Sequence, residues 1–208
     1  MAQFFQIHPD NPQKRLIQQA VEIIRGGGLV VYPTDSSYAL GCHIGDKAAM
    51  ERICQLRELN ARHNFTLVCS DMSEVSAYAK VGNSQYRMLR NLCPGPYTFI
   101  FPATREVPRR LQQGKKKTIG LRIPDNRIVQ DLLAALGEPI VSSTLLLPGD
   151  DMPLSDPYEM RQILEHQVDL IIDGGYCGYE TTTVVDMSDD LPEVLREGKG
   201  DIAPFEAL

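Results

Sequence analysis

The stretch Leu29-Val30-Val31-Tyr32-Pro33-Thr34-Asp35-Ser36-Ser37-Tyr38-Ala39-Leu40-Gly41 sets a short apolar run directly against a proline and a cluster of hydroxyls. Four consecutive apolar residues bounded by turn residues read as a strand buried on both faces. The proline then fixes the backbone, so the polar residues behind it are held rigidly at the strand's end. Three other segments repeat the design: CPGPYTFIF (93–101), TIGLRIPDN (118–126) and TTTVVDMS (181–188).

Helices fall between these strands. Asp10 or Asn11 caps a first helix, with Pro12 in its opening turn, Leu16, Ile17, Ala20, Val21 and Ile24 as an apolar stripe, and Gly26 at its end. A second helix starts near Asp46 and carries Met50, Ile53 and Cys54 on one face. Asp71 and Glu74 have capping-box spacing for a third, and another begins at Asn83 and stops at Pro94-Gly95-Pro96. Helices over 126–136 and 157–166 complete the set, the latter capped by Ser155 or Asp156. Strands are expected at 4–7, 29–32, 65–69, 97–101, 118–123, 140–143, 170–172 and 182–187. Such alternation predicts an α/β fold, a twisted mixed open sheet with flanking helices in a single domain over 1–208. Ligands of such sheets lie beyond strand ends, where the four polar turns sit.

Composition narrows the class. At 208 residues with 43% apolar side chains, the chain is long enough for one sizeable core. No apolar run approaches the ~18 residues that span a bilayer, and the N-terminus lacks the pattern of a secretory signal. Five scattered cysteines read as reduced thiols, so the expected location is cytoplasmic, away from membranes. Net charge is −6, yet 105–122 carries seven basic residues against Glu106, a local +6 that leaves −12 elsewhere. Arg109, Arg110, Lys115, Lys116 and Lys117 in that stripe could hold a polyanion such as tRNA or double-stranded RNA, or form an ordinary solvated turn.

Several chemistries find no pattern. Neither Gly114-Lys115 nor Gly198-Lys199 has the glycine spacing of a P-loop, and Gly26-Gly27-Gly28 separates a helix from a strand, the reverse of a dinucleotide fingerprint. His8, His43, His63 and His166 are dispersed, and no Cys or His pair has ligand spacing, so no metal site is expected. No acid–base or nucleophilic catalytic residue is identifiable from spacing alone.

Arg122 is the most informative single residue. A guanidinium in the apolar run TIGLRIP is expensive to desolvate unless it meets an anion, either a ligand carboxylate or an internal salt-bridge partner. Thr118 shares its strand face. Ser142, Ser143 and Thr144 end the strand begun at Ile140 with hydroxyls suited to phosphate or carboxylate oxygens, or to a capped turn. Thr34 is either held at a cleft or closing a turn, and Tyr38 is either pocket lining or core.

The segments Pro33-Thr34-Asp35-Ser36-Ser37-Tyr38, Pro94-Gly95-Pro96 with Thr98, Leu121-Arg122-Ile123-Pro124, and Thr182-Thr183-Val184-Val185-Asp186 with Leu195-Arg196-Glu197-Gly198 resemble the YrdC/YciO family over nearly the whole chain, most of all its YciO branch. The resemblance implies a YrdC-like fold and formation of threonylcarbamoyl-AMP from threonine, bicarbonate and ATP, on the route to a modified adenosine in tRNA. It implies Thr34, Tyr38, Arg122, Ser142 and Thr182 as contacts to an amino-acid-like carboxylate substrate. Arg57, Thr118, Thr144 and Arg196 become nucleotide contacts, with ATP as a substrate and Mg2+ carried by it. A carbamate oxygen would attack the α-phosphate and expel pyrophosphate, chemistry that needs alignment and charge neutralisation rather than a protein nucleophile.

Two family signatures are incomplete. The Lys-x-Arg signature reads Arg57-Glu58-Leu59, and Ser-x-Asn reads Thr144-Leu145-Leu146. A charge-assisted contact is worth roughly 1.5–3 kcal/mol, so two losses predict a rate lowered by about two to four orders of magnitude. Arg62 and His63 lie close by as candidates to restore part of the charge. A module that binds RNA without catalysis is the alternative.

Overall fold

The computed structural model describes residues 1–60 and 63–206. In chain order it contains β1 (Gln3–Gln6), α1 (Lys14–Arg25), β2 (Val30–Tyr32), β3 (Ala39–His43), α2 (Lys47–Leu56), β4 (Thr66–Val68), α3 (Met72–Tyr78), α4 (Asn83–Leu92) and β5 (Tyr97–Pro102). A 3-10 turn (Arg109–Leu111) follows, then β6 (Thr118–Arg122), α5 (Arg127–Leu136), β7 (Ile140–Thr144), α6 (Pro157–Leu164), β8 (Leu170–Asp173), β9 (Thr183–Asp186), β10 (Glu193–Arg196) and α7 (Ala203–Glu206).

The strands form one sheet in the order β1-β8-β2-β3-β7-β4-β6-β5-β9-β10. The β1–β8, β2–β8, β4–β6 and β5–β9 pairs are parallel, and the remaining neighbours are antiparallel. The sheet is therefore mixed and open, as the alternation of elements predicts.

Its two faces are covered differently. One carries Leu29, Val31, Leu40, Leu67, Phe99, Phe101, Ile119, Leu121 and Val141, packed with apolar residues of α2, α3, α4, α6 and α7. The other has a smaller apolar layer in which Ile17, Ala20, Val21 and Ile24 of α1 and Ile128, Val129, Leu132, Leu133 and Leu136 of α5 meet Val30, Tyr32, Ala39, Val68, Ile140, Leu170 and Ile172. No residue of β5, β6 or β9 belongs to this second layer. Half of that face is left without a helix.

Most helix starts follow their local signals. Asp46 accepts the Ala49 N–H at 2.9 Å, Asp71 that of Glu74 at 2.9 Å, Asn126 that of Val129 at 3.1 Å and Asp156 that of Tyr158 at 2.9 Å. The first helix differs from expectation. It begins at Lys14 behind Gln13, because His8 Nδ1 accepts the N–H groups of Asp10 (3.2 Å) and Asn11 (3.1 Å) while Gln13 Oε1 accepts that of His8 (3.1 Å). That closed turn consumes the residues expected to open the helix. Strands β3 and β10 were not anticipated. β3 contains Gly41, where a Cβ would lie 2.6 Å from Tyr32 Cε1 and 2.7 Å from Ile140 Cγ2, so only glycine lets the three strands close up. Among the described residues no helix is long and apolar enough to cross a membrane.

Candidate functional site

Period-two alternation builds the site. Along β6, Ile119 and Leu121 point into the larger core, which turns Thr118, Gly120 and Arg122 to the face that lacks helices. Register carries the same face sideways: Gly120 pairs with Thr66 and with Ile100, Thr66 pairs with Ser142, and Thr98 pairs with Val184. These residues floor an open cleft of about 700 Å³. Residues 58–60 and 63–65, Thr144 at the end of β7, Leu146 beyond it, and Leu195 and Arg196 of β10 form its walls.

Arg57, Thr118, Arg122, Ser142, Thr144, Thr182 and Arg196 all line this cleft, although they come from five separate stretches of chain. Thr34 and Tyr38 are placed elsewhere. The Thr34 hydroxyl donates to Ser37 O at 2.6 Å and accepts the N–H groups of Ser36 (3.1 Å) and Ser37 (3.2 Å), so it closes its own turn. Tyr38 is fully buried; its hydroxyl donates to Gly175 O at 2.7 Å and accepts from Gly174 N at 3.1 Å. That burial pushes its phenol above the usual range. Their neighbour Ser37 reaches the lining in their stead.

The guanidiniums are held in three ways. Arg122 Nη2 meets Asp35 Oδ1 at 2.5 Å and Ser36 Oγ at 3.3 Å, with each side chain of the ion pair about 10% exposed. Asp35 Oδ2 accepts the Asp125 N–H at 2.9 Å. The internal partner is thus present, and Arg122 Nε is buried without a hydrogen-bond partner among the described residues. Arg196 grips Thr182, donating from Nη2 to its carbonyl at 2.9 Å and to its hydroxyl at 3.3 Å, and that hydroxyl lies 2.8 Å from Thr98 Oγ1. Arg57, just past the end of α2, donates from Nε to Leu146 O at 2.9 Å and from Nη1 to Ser143 Oγ. Burial lowers the pKa of Arg57 and of Arg196. Ser143 Oγ also lies 3.0 Å from His63 Nε2, and burial, aided by the charge of Arg57, draws His63 down to about 4. Among the described lining residues Glu58 is the one acid.

Sequence reading missed Asp35 as the partner of Arg122, and Thr66 and Gly120 as floor. Alternation along TIGLR was the signal available for Gly120. Leu59 and Leu146, the two positions where the signatures depart, both face the cleft. Arg62 lies outside the described residues. In the basic stripe, Arg110 turns inward to Ile44 O at 2.8 Å, and Lys116 pairs with Asp189 at 2.6 Å. Arg105, Arg109 and Lys117 line a separate surface groove, and Lys115 is exposed. No group of three His, Cys, Asp or Glu that could hold a metal ion occurs among the described residues.

Three partly desolvated guanidiniums and a row of hydroxyls around one hollow are suited to phosphate and carboxylate oxygens. The Sua5/yciO/yrdC family model, described as telomere recombination, matches residues 22–198. The chain is 62% identical to YciO of Escherichia coli K12 over 205 residues, 99% of this chain and 100% of the relative. It is 32% identical to the threonylcarbamoyl-AMP synthase of Nitrosococcus oceani over 159 residues, covering 76% and 85% of the two chains. Among solved structures, E. coli YciO superposes with a TM-score of 0.94 at 61% identity, over 99% of this chain and 100% of the other. Sua5 of P. abyssi complexed with L-threonine gives a TM-score of 0.85 at 26% identity, over 94% of this chain and 57% of that longer one. With sequence and fold agreeing along nearly the whole length, the chain belongs to the Sua5/YciO/YrdC family.

Proposed function

We propose that the cleft binds ATP together with a small amino-acid-like carboxylate and carries a threonylcarbamoyl-AMP-synthase-like nucleotidyl transfer at reduced rate. The observation that carries this reading is the convergence of Arg57, Arg122 and Arg196 on one hollow floored by hydroxyls. Its volume of about 700 Å³ suits a nucleotide and a small co-substrate. The threonine in the P. abyssi complex and the activity named for the N. oceani relative support the choice of substrates.

In this reading Arg122 receives the carboxylate on the part of its guanidinium that faces the cleft and that Asp35 does not occupy. Arg196 and Arg57 face the phosphates, and the hydroxyls of Thr98, Thr118, Ser142 and Thr144 orient the transferring group. The described lining offers guanidiniums and hydroxyls with Glu58 as its single carboxylate, too few acids for a protein-held cation, so Mg2+ would travel on the nucleotide phosphates, where it supplies charge neutralisation. Leu59 and Leu146 present apolar surface where charge develops, which is why the rate is low.

Purified protein given threonine, bicarbonate, ATP and Mg2+ is expected to release pyrophosphate slowly. Leu59→Arg combined with Leu146→Asn should raise that release at least about tenfold, the worth of one regained charge-assisted contact. Release at background level from both proteins sinks the reading. A second reading, a module for tRNA or double-stranded RNA, draws on the groove of Arg105, Arg109 and Lys117, which lies apart from the cleft.

A further inference from the structure

Ser143 departs from the division of labour between the two sheet faces. Its neighbours Ser142 and Thr144 share a sheet face with Ile140 and line the cleft, whereas Ser143 shares the opposite side with Val141. β4 begins only at Thr66, beside Ser142, so beyond that point β7 loses its neighbour on this edge. Arg57 past the end of α2 and residues 63–65 ahead of β4 fill the gap. They bring Arg57 and His63 to the Ser143 hydroxyl, and all three side chains line the cleft.

The hydrogen bonds give this hydroxyl a direction. Arg57 can only donate, so the Ser143 oxygen accepts from it and its own hydrogen is free to be given away. The acceptor within reach is His63 Nε2, 3.0 Å distant. A ring drawn down to about 4 is neutral at physiological pH, and assigning its hydrogen to Nδ1 leaves Nε2 able to accept. The ring is braced by an edge contact to Phe65, centroids 5.0 Å apart, and its backbone by Gln113 Nε2 donating to His63 O at 3.1 Å. A serine whose proton faces a neutral imidazole while a cation holds its oxygen is an activated nucleophile.

We propose that Ser143 is a nucleophile with His63 as its general base and Arg57 as the cation that positions its oxygen, giving the cleft a hydrolytic acyl-transfer activity on small activated carbonyl compounds that carry an anionic group. The anionic group follows from Arg122 on β6, two strands from β7 and so about 10 Å across the sheet. In the first step Ser143 Oγ bonds to the carbonyl carbon, its proton passes to His63 Nε2, and the bond to the leaving group breaks, the leaving group taking that proton from His63. Water then attacks the acyl-serine, gives a proton to His63 that returns to Ser143 Oγ, and releases the carboxylic acid. The net change is ester plus water to acid plus alcohol, with no redox partner. This activity goes beyond nucleotidyl transfer, which uses no protein nucleophile, and it stands whether or not ATP binds. Because His63 is a weak base, its contribution belongs at the low end of general-base catalysis, about 10²-fold.

The test uses nucleotide-free protein with p-nitrophenyl acetate and mono-p-nitrophenyl succinate, with adducts located by mass spectrometry. The expected result is an acyl adduct on Ser143, faster turnover of the succinate ester, a loss of at least about tenfold in Ser143→Ala and about 10²-fold slowing in His63→Gln. Equal hydrolysis by wild type and Ser143→Ala, with no adduct on Ser143, overturns the proposal. Ser143→Cys keeps it falsifiable should the alanine variant fail to fold. The introduced thiol should react with iodoacetamide at least about tenfold faster than free cysteine, an advantage that His63→Gln removes; a rate equal to free cysteine overturns the proposal.

Discussion

Arg122 shows how one side chain can answer two demands. Its charge sits in a strand that is otherwise apolar, and the carboxylate of Asp35 compensates it from the turn after β2. The same carboxylate accepts from Asp125 N, so it ties two of the polar strand-end turns together. Removing one partner of a buried pair costs about 3–5 kcal/mol, because the other charge is stranded. Asp35→Ala is therefore expected to lower the melting temperature by about 10 °C, measured by calorimetry, with a shift under about 2 °C showing that the pair is not what holds these turns. A sequence can say that this guanidinium needs an anion. It cannot say that the anion lies 87 residues earlier, since only the fold brings Asp35 to it.

At the level of elements, the cleft depends on one strand showing small residues on one side and large ones on the other. A Cβ on Gly120 would sit 3.3 Å from both Thr66 Oγ1 and Thr98 Cγ2, tight but tolerable, and it would stand on the cleft floor. Gly120→Val is expected to weaken nucleotide binding by at least about tenfold in calorimetric titration while costing about 1–3 kcal/mol of stability. Unchanged affinity would mean that the floor of β6 does not touch the ligand. Such alternation was readable from TIGLR, as were the stripe of α1 and the helix starts near Asp46, Asp71 and Asn126, because each rests on residues within a few positions of one another. The start of α1 and the strand β3 were not. One depends on an imidazole accepting two backbone N–H groups, the other on a glycine squeezed between Tyr32 and Ile140. Thr34 and Tyr38 belong to the same class: a hydroxyl looks alike in sequence whether it serves a ligand or its own loop, and theirs serve the loop.

For the whole molecule, folding redistributes charge that the linear sequence groups together. Of the basic stripe, Arg122 is paired inside, Arg110 points to α2 and the strand before it, and Lys116 is matched by Asp189, leaving Arg105, Arg109, Lys115 and Lys117 facing outward. If RNA is held there, log–log plots of tRNA retention against salt should lose about two units of slope in Lys115→Ala with Lys117→Ala, and almost none in Lys116→Ala. Identical slopes for all three proteins would remove this groove from consideration. The uneven cover of the sheet has a different outcome. Since α1 and α5 both press on the β1-to-β4 side, β6, β5 and β9 anchor themselves with one set of alternating positions and leave the other set unencumbered. Binding preferences can drift at those open positions while the scaffold's stability stays with their neighbours, one residue up or down the chain.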